Sequence, residues 1–362
     1  MLNLYDYRRD QLEELLAGWG FSAYYAGILW SALYRQQVDT LDSIAGLRPD
    51  LAARLAATAT LSQPQTALAL DSRDGHTRKF LLRLADGQTI ETVQMRYRDR
   101  HTACISTQAG CAMGCVFCAT GQMGFQRHLT PGEIVGQVLY VNQTLAGAGQ
   151  RVRNVVLMGM GEPLHNYEAT MTAIDILTDH KGLAIAPRHI TLSTVGLPAA
   201  IRRLADEDCR VQLAVSLHAA TDVERAALVP PARRWSLAEL LDACRYYIAR
   251  RGRRIFFEWT LIAGNNDTPT QAHAVGRLLQ GLNAHLNVIP LNPTHGYGGA
   301  PSPMPAVRQF QQIVAEYGIP STVRQRRGID IAAGCGQLRE TGAVLETGAV
   351  LETGAVLETA PV

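Results

Sequence analysis

Cys111-Ala-Met-Gly-Cys115-Val-Phe-Cys118 sets three thiols within eight positions of a 362-residue chain that has seven cysteines in all. At that cysteine frequency a chance triple at one specified spacing is expected about 0.003 times per chain, so the spacing calls for a chemical reason. An odd cysteine count with such crowding suits metal ligation in a reducing compartment better than a disulfide framework. Three thiolates fill three iron corners of a [4Fe-4S] cubane and leave the fourth iron open to a chelating ligand. S-adenosylmethionine (SAM) is such a chelator through its amino and carboxylate groups, and one electron passed to its sulfonium releases methionine and a 5′-deoxyadenosyl radical. A four-coordinate structural zinc site is the alternative, with Cys104, His128 or a more distant residue as the fourth ligand.

Downstream of this loop, β-rich runs alternate with amphipathic helices. Strands are expected near Val155 to Met158, Ile190 to Ser193, Val211 to Leu217, Ile255 to Ile262 and Leu286 to Leu291, each followed by a helix, which implies a parallel sheet. Helix starts are marked by Thr130-Pro-Gly-Glu133, Thr221-Asp-Val-Glu224, Ser236-Leu-Ala-Glu239 and Thr268-Pro-Thr-Gln271, all reading as capping boxes. In a βα-repeat barrel or partial barrel the chemistry sits on loops at the C-terminal ends of the strands.

Upstream, residues 1–60 read as a small helical domain with Leu12, Leu15 and Leu16 on one stripe and Tyr25, Ile28, Leu29 and Leu33 on another. Residues 61–100 read as a β-hairpin connector, with turns at Asp71-Ser-Arg-Asp-Gly75 and Asp86-Gly87. Residues 101–339 form the main domain. The stretch 340–362 repeats Thr-Gly-Ala-Val-Leu-Glu three times and reads as a low-complexity tail. No apolar run is long enough to span a bilayer and no signal peptide is visible, so a cytoplasmic, non-membrane protein is expected. Net charge is +2, and the four glutamates from Glu340 onward leave the preceding chain at +6. Lys79 and Lys181 are the only lysines; arginine's planar fork suits phosphates and stacked bases, and GC-rich coding gives the same bias.

Gly159-Met-Gly-Glu-Pro-Leu164 follows an expected strand but lacks the third glycine of a dinucleotide fingerprint. Its glycines and Glu162 suit close approach of a ligand and binding of the SAM ammonium. Together with Cys104-Ile-Ser-Thr-Gln-Ala-Gly-Cys111, Phe117-Cys-Ala-Thr-Gly-Gln-Met-Gly-Phe125, Met158-Gly-Met-Gly-Glu-Pro163, Leu192-Ser-Thr-Val-Gly196, Ser216-Leu-His-Ala219 and Ala333-Gly-Cys-Gly-Gln-Leu338, these residues make the chain resemble the RlmN-type 23S ribosomal RNA adenine-C2 methyltransferases of the radical SAM RlmN/Cfr family. The resemblance covers nearly everything before the repeats. It implies an α/β fold, a radical SAM partial (βα)6 TIM-like barrel carrying the N-terminal helical domain and the β-hairpin extension.

By the same resemblance Cys111, Cys115 and Cys118 ligate a [4Fe-4S] cluster, and Gly161, Glu162, Ser193, Ser216, Leu217, His218 and Asn292 contact SAM. Cys335 is the S-methylcysteine intermediate, and Cys104 is the resolving thiol that forms a transient disulfide with it. Adenine C2 is electron-poor and does not displace a methyl group from SAM as a nucleophile would. In the family's scheme a cysteine takes the methyl from one SAM, a second SAM supplies the radical, and the resulting carbon radical adds to the base. Glu91 shares strand parity with Val93 and Met95, an odd face for a carboxylate, and the resemblance makes it a proton acceptor. Cys209 and Cys244 read as core thiols.

The implied partners are 23S rRNA, transfer RNA as a further substrate, and a flavodoxin- or ferredoxin-type electron donor, with the enzyme a monomer. Arginine clusters at Arg96, Arg98 and Arg100, at Arg250, Arg251, Arg253 and Arg254, and at Arg324, Arg326 and Arg327 are candidate phosphate contacts. The last of them lies shortly before Cys335 and is favoured. Two other readings share parts of this sequence: a C8-specific adenine methyltransferase of the Cfr type, and a zinc-stabilised, non-catalytic RNA-binding protein.

Overall fold

In a computed structural model, residues 1–98 and 100–339 are described; the hexapeptide repeats lie outside the described residues. The N-terminal segment holds α1 (Arg9–Gly18), α2 (Tyr24–Ser31) and α3 (Pro49–Thr58), and its two short strands, β1 (Leu2–Asn3) and β2 (Ala59–Thr60), pair in parallel. Leu12 and Leu16 of the expected stripe are fully buried. Arg9 and the Trp30 indole both bond Asp179, at 3.1 and 3.2 Å, tying this segment to the following domain.

The next strands form antiparallel pairs: β3 (Gln65–Asp71), β4 (Thr77–Arg83), β5 (Thr89–Tyr97) and β6 (Arg100–Cys104). They do not form a separate layer. Strand β6 also begins the parallel series, pairing with β9 (Val152–Leu157), which is followed in spatial order by β10 (Ile190–Thr194), β11 (Gln212–Ser216), β12 (Ile255–Leu261), β13 (Ala284–Pro290) and β14 (Ser321–Val323). Between β6 and β9 a two-stranded ribbon, β7 (Gln108–Gly110) with β8 (Phe125–His128), brackets the cysteine loop. The parallel arc ends at β14 and does not close, as a partial barrel requires.

Helices α4 (Ala119–Met123) and α5 (Pro131–Ala146) precede β9, and α6 (Tyr167–Thr178) and α7 (Pro198–Asp206) follow the next two strands. Then come α8 (Asp222–Leu228), α9 (Leu237–Arg251), α10 (Pro269–Leu279) and α11 (Met304–Glu316). Covering helices explain why β12, Ile-Phe-Phe-Glu-Trp-Thr-Leu, is buried at every position but Phe256. Of the four expected capping boxes, those at Thr130 and Ser236 are complete. Thr221 and Thr268 cap with their hydroxyls, but the Gln271 amide donates to Glu224 instead of reaching back. A tertiary partner has taken the side chain that the local motif would use.

Candidate active site

The cysteine loop is shaped by glycines. Gly110 has φ +73°, and a Cβ there would lie 2.0 Å from the Gly124 carbonyl oxygen, where the loop closes through the Cys111 N–H to that same oxygen at 2.8 Å. A Cβ on Gly121 would lie 2.9 Å from both the amide nitrogen and the carbonyl oxygen of Cys115, so α4 packs directly against the loop. Cys111, Cys115 and Cys118 all line one cavity at the C-terminal ends of the parallel strands. Burial pushes the Cys111 thiol up to about 12 and raises Cys115 and Cys118 as well, so loading a metal there displaces protons. Among the described residues no three His, Cys, Asp or Glu side chains gather around a single-ion point.

The opposite walls come from successive strand ends: Gly161 and Glu162 after β9, Ser193 on β10, Ser216 and His218 at the end of β11, and Asn292 after β13. The Glu162 carboxylate is buried and accepts from the Val195 and Leu164 amides at 2.8 and 3.0 Å, while burial lifts its pKa to about 7. A cationic ligand in the cavity favours its ionised form. His218 accepts at Nδ1 from the Thr260 N–H at 3.0 Å, which requires the neutral ring with its proton on Nε2, and burial depresses its pKa to about 3. Phe117 from the cysteine loop meets this ring edge-on at 4.9 Å.

Not every expected residue lies on the cavity. Leu217 is fully buried, its backbone held by Glu258 and Arg225, and it is not part of the lining. The glycines of the Gly159 turn serve a different approach from the one expected: a Cβ on Gly159 would meet the Ile105 carbonyl at 2.7 Å, and one on Gly161 the Gln108 side chain at 2.6 Å. They admit the chain's own 105–108 segment, and both glycines also line the cavity. Glu91 is wholly buried and ion-paired with Lys79 at 2.9 Å, accepts from the Arg339 N–H at 3.0 Å, and lines neither this cavity nor the next.

A second cavity adjoins the first, sharing Met158, Ile289, Asn292 and Cys335, and Cys104 lies on its wall. Cys335 is therefore common to both, exposed to the cavities, while Cys104 is buried in the sheet. Both are free thiols. Burial pushes Cys104 to about 12, and for Cys335 the same effect is opposed by the Arg324 guanidinium. The Cys335 loop is held by the Asn292 amide on its carbonyl at 3.0 Å and by the Ala119 N–H on the Gly336 carbonyl at 2.7 Å.

Three residues escaped the sequence reading. Arg225 is 1% exposed and donates to the carbonyls of Leu217, Ser216 and Val195, pinning the ends of β10 and β11. No local signal in Asp-Val-Glu-Arg marks it. Glu258 did carry one, an acid inside an otherwise apolar strand. It accepts from Asn287 and Arg324 through Oε1, and its buried Oε2, in a residue lining the first cavity, has no hydrogen-bond partner among the described residues. Lys79 is the third, one of two lysines in the chain and almost fully buried. The favoured arginine cluster is also split: Arg324 pairs with Glu258, Arg326 donates to the Asn292 side-chain Oδ1 at 3.2 Å, and Arg327 turns instead to the Arg96 carbonyl at 3.3 Å.

Three thiols, a buried carboxylate, and an unpartnered acceptor around one cavity fit an iron–sulfur cluster whose open iron carries an amino-acid chelate. The Radical SAM superfamily model matches residues 105–274. A dual-specificity RNA methyltransferase RlmN 1 from Myxococcus xanthus is 64% identical over 339 residues, covering 94% of each chain. A ribosomal RNA large subunit methyltransferase N from Nitrosopumilus maritimus is 41% identical, covering 94% of this chain and 99% of its own. The crystal structure of a radical SAM methyltransferase from Sphaerobacter thermophilus superposes with a TM-score of 0.90 at 46% identity, covering 94% of this chain and all of that one.

Proposed function

The chain belongs to the RlmN-type radical SAM RNA methyltransferases, with a [4Fe-4S] cluster and SAM as its cofactors, and from that premise we propose that it methylates C2 of an adenine in 23S rRNA through an S-methylcysteine on Cys335, using two SAM per turnover. Transfer RNA is the further substrate to test. The observation that carries this reading is the position of Cys335, shared by the cavity of the three cluster thiols and the cavity of Cys104. A thiol there would face a methyl donor held in one cavity and a substrate base held in the other.

Cys111, Cys115 and Cys118 would hold three irons, with Glu162 placed for the SAM ammonium and Ser193, Ser216, His218 and Asn292 lining the rest of the chelate's site. When bound, the cluster and SAM supply both a transferable methyl group and a hydrogen-abstracting radical. The chain's own part is positional. Asn292 holds the Cys335 carbonyl and so fixes the sulfur that carries the methyl. His218, neutral with Nε2–H, is a donor at any ordinary pH. Cys104, as a thiolate, would then attack Cys335 Sγ in the covalent RNA adduct and break its bond to the methylene carbon; the C2 proton is lost, that carbon takes up a proton to become the new methyl, the adduct's unpaired electron passes to a one-electron acceptor of the iron–sulfur type, and the two sulfurs are joined in a transient disulfide. Glu91 is the proposed acceptor of the C2 proton, and to reach it the Arg339 amide and Lys79 ammonium that hold it must release it.

Mass spectrometry of the Cys335 peptide after anaerobic incubation with SAM tests the scheme. One added methyl is expected in the wild type and none in Cys335→Ala; RNA methylation by Cys335→Ala would sink the S-methylcysteine route.

A further inference from the structure

A third cavity opens at the other end of the barrel from the cysteine loop. Its walls include Arg96, Arg98 and Arg100 around the β5–β6 turn, Arg153 at the start of β9, and Arg327 after β14. His76 and His189, the latter just before β10, add to the same wall. Arg98, Arg100, Arg153 and His189 lie at the N-terminal ends of β6, β9 and β10, and Arg327, from the segment after β14, reaches them by donating to the Arg96 carbonyl at 3.3 Å, whereas the cluster thiols and the Glu162 turn lie at the C-terminal ends. No described carboxylate lines this basin.

The concentration of charge is not a consequence of composition, since the net charge of the chain is only +2. Several arginines elsewhere are paired, Arg250 with Asp206, Arg251 with Asp208, Arg203 with Glu168 and Glu207, Arg127 with Asp86 and Glu133, and among the described residues the unpaired ones outside this basin are not gathered around one cavity of this kind. Arg96, Arg98, Arg100, Arg153 and Arg327 are in no ion pair among the described residues. Asp74 is the described carboxylate that feels Arg327, and its own hydrogen bonds go to the Ser72 hydroxyl and the His76 amide. Guanidinium groups clustered with no described carboxylate among them, Asp99 of the same turn lying outside the described residues, repel one another, and an anion spanning several of them removes that repulsion.

The basin adjoins the thiol cavity. Tyr97 and Arg327 line both, with the Arg327 and Arg100 guanidinium groups 4.5 and 5.1 Å from the Tyr97 ring centroid. From there the second cavity runs along Thr102, Cys104, Val156 and Met158 to Cys335. Tyr97, braced by two cations, thus stands between the basic basin and the cavity of Cys104 and Cys335.

We propose that the RNA enters from the N-terminal end of the barrel, its phosphates held by Arg96, Arg98, Arg100, Arg153 and Arg327, so that the target base passes Tyr97 into the cavity between Cys104 and Cys335. Cys111, Cys115 and Cys118 would hold the cluster in the other cavity that Cys335 lines, away from the basin. This rests on the RNA methyltransferase reading and deepens it by naming the surface the substrate uses. Arg250, Arg251, Arg253 and Arg254, a comparable run in sequence, are occupied by Asp206, Asp208, the Arg210 carbonyl and Asn283, and are not part of the surface.

The test uses the reconstituted holoenzyme, a fluorescent 23S rRNA hairpin containing the target adenine, and the triple variant Arg98→Gln/Arg100→Gln/Arg153→Gln. If each of three guanidinium groups meets one phosphate of a single-stranded segment, the slope of log K against log salt falls in magnitude by about 2, and the Kd at 0.15 M salt rises about 50-fold. KM for RNA rises with it. Arg250→Gln/Arg254→Gln serves as the control and is expected to bind as the wild type does. An unchanged Kd and slope in the triple variant, or a larger loss in the control, would overturn the proposal. Methyl loading of wild-type Cys335, which needs no RNA, separates the two readings. Normal loading with an unaffected triple variant rejects the entry route alone, whereas absent loading and absent RNA binding in the wild type reject the methyltransferase reading and the route with it.

Discussion

Replacing Lys79 by Met should destabilise the protein and also slow the methyl loading of Cys335. The Lys79 ammonium is 2.9 Å from Glu91 Oε1, with side-chain exposures of 4% and 0%. It also donates to the Ala332 carbonyl at 3.4 Å, while Glu91 Oε2 accepts from the Arg339 amide. The pair thus grips the chain three residues before Cys335 and four residues after it. Removing one partner of a buried ion pair costs about 3 to 5 kcal/mol, because the remaining charge keeps its desolvation penalty. Taking about 2 °C of melting temperature per kcal/mol for a domain of this size, the loss is about 6 to 10 °C. Replacing both partners, Lys79→Met with Glu91→Leu, should recover most of this, since an apolar pair carries no such penalty. The assay is thermal melting of the anaerobic holoenzyme, with the rate of methyl loading measured well below the transition. Two results would refute the reasoning. A loss under about 0.5 kcal/mol for Lys79→Met would mean that the pair behaves as a solvated surface pair. A full loss of stability with an unaltered loading rate would mean that it grips the fold but not the Cys335 loop.

Gly110→Ala places a Cβ 2.0 Å from the Gly124 carbonyl oxygen at a φ of +73°, so the cysteine loop cannot close; the purified variant should hold little iron, and wild-type iron content would contradict the loop geometry. For His218 the folded pKa of about 3 lies below its ordinary value, so the ring is neutral in the native state at any ordinary pH. Because the folded pKa is depressed, the unfolded state binds the extra proton, and stability is expected to fall as pH drops below about 6.5 towards 3. NMR titration of the ring should show no protonation between pH 5 and 8, and a midpoint near 6.5 would show that the Thr260 amide does not hold Nδ1.

The most local features were the most legible in the sequence. The spacing of Cys111, Cys115 and Cys118 survives any fold because neighbouring residues enforce it, and Ser193, Ser216 and Asn292 sit at strand ends because polar residues terminate apolar runs. Long-range partners left no trace. Nothing near Arg225 indicates three carbonyl partners from two other segments, and the lysine at 79 looks like any solvated base in an alternating strand. The same limit explains why Arg324, Arg326 and Arg327 read as one cluster. Arginines within four positions after β14 go to Glu258, to Asn292 and to the basin, and only the sheet order brings those three destinations together. The Gly159 and Gly161 turn shows the converse: the residue type was informative, but what approaches a glycine is decided by the rest of the chain.

The central claim is the carbon that receives the methyl group. Anaerobic turnover with isotopically labelled SAM, a flavodoxin reducing system and unmodified 23S rRNA, followed by nucleoside mass spectrometry, is expected to place the label in 2-methyladenosine. Label found only in 8-methyladenosine, or no label in RNA from a preparation whose Cys335 is methylated, would contradict it.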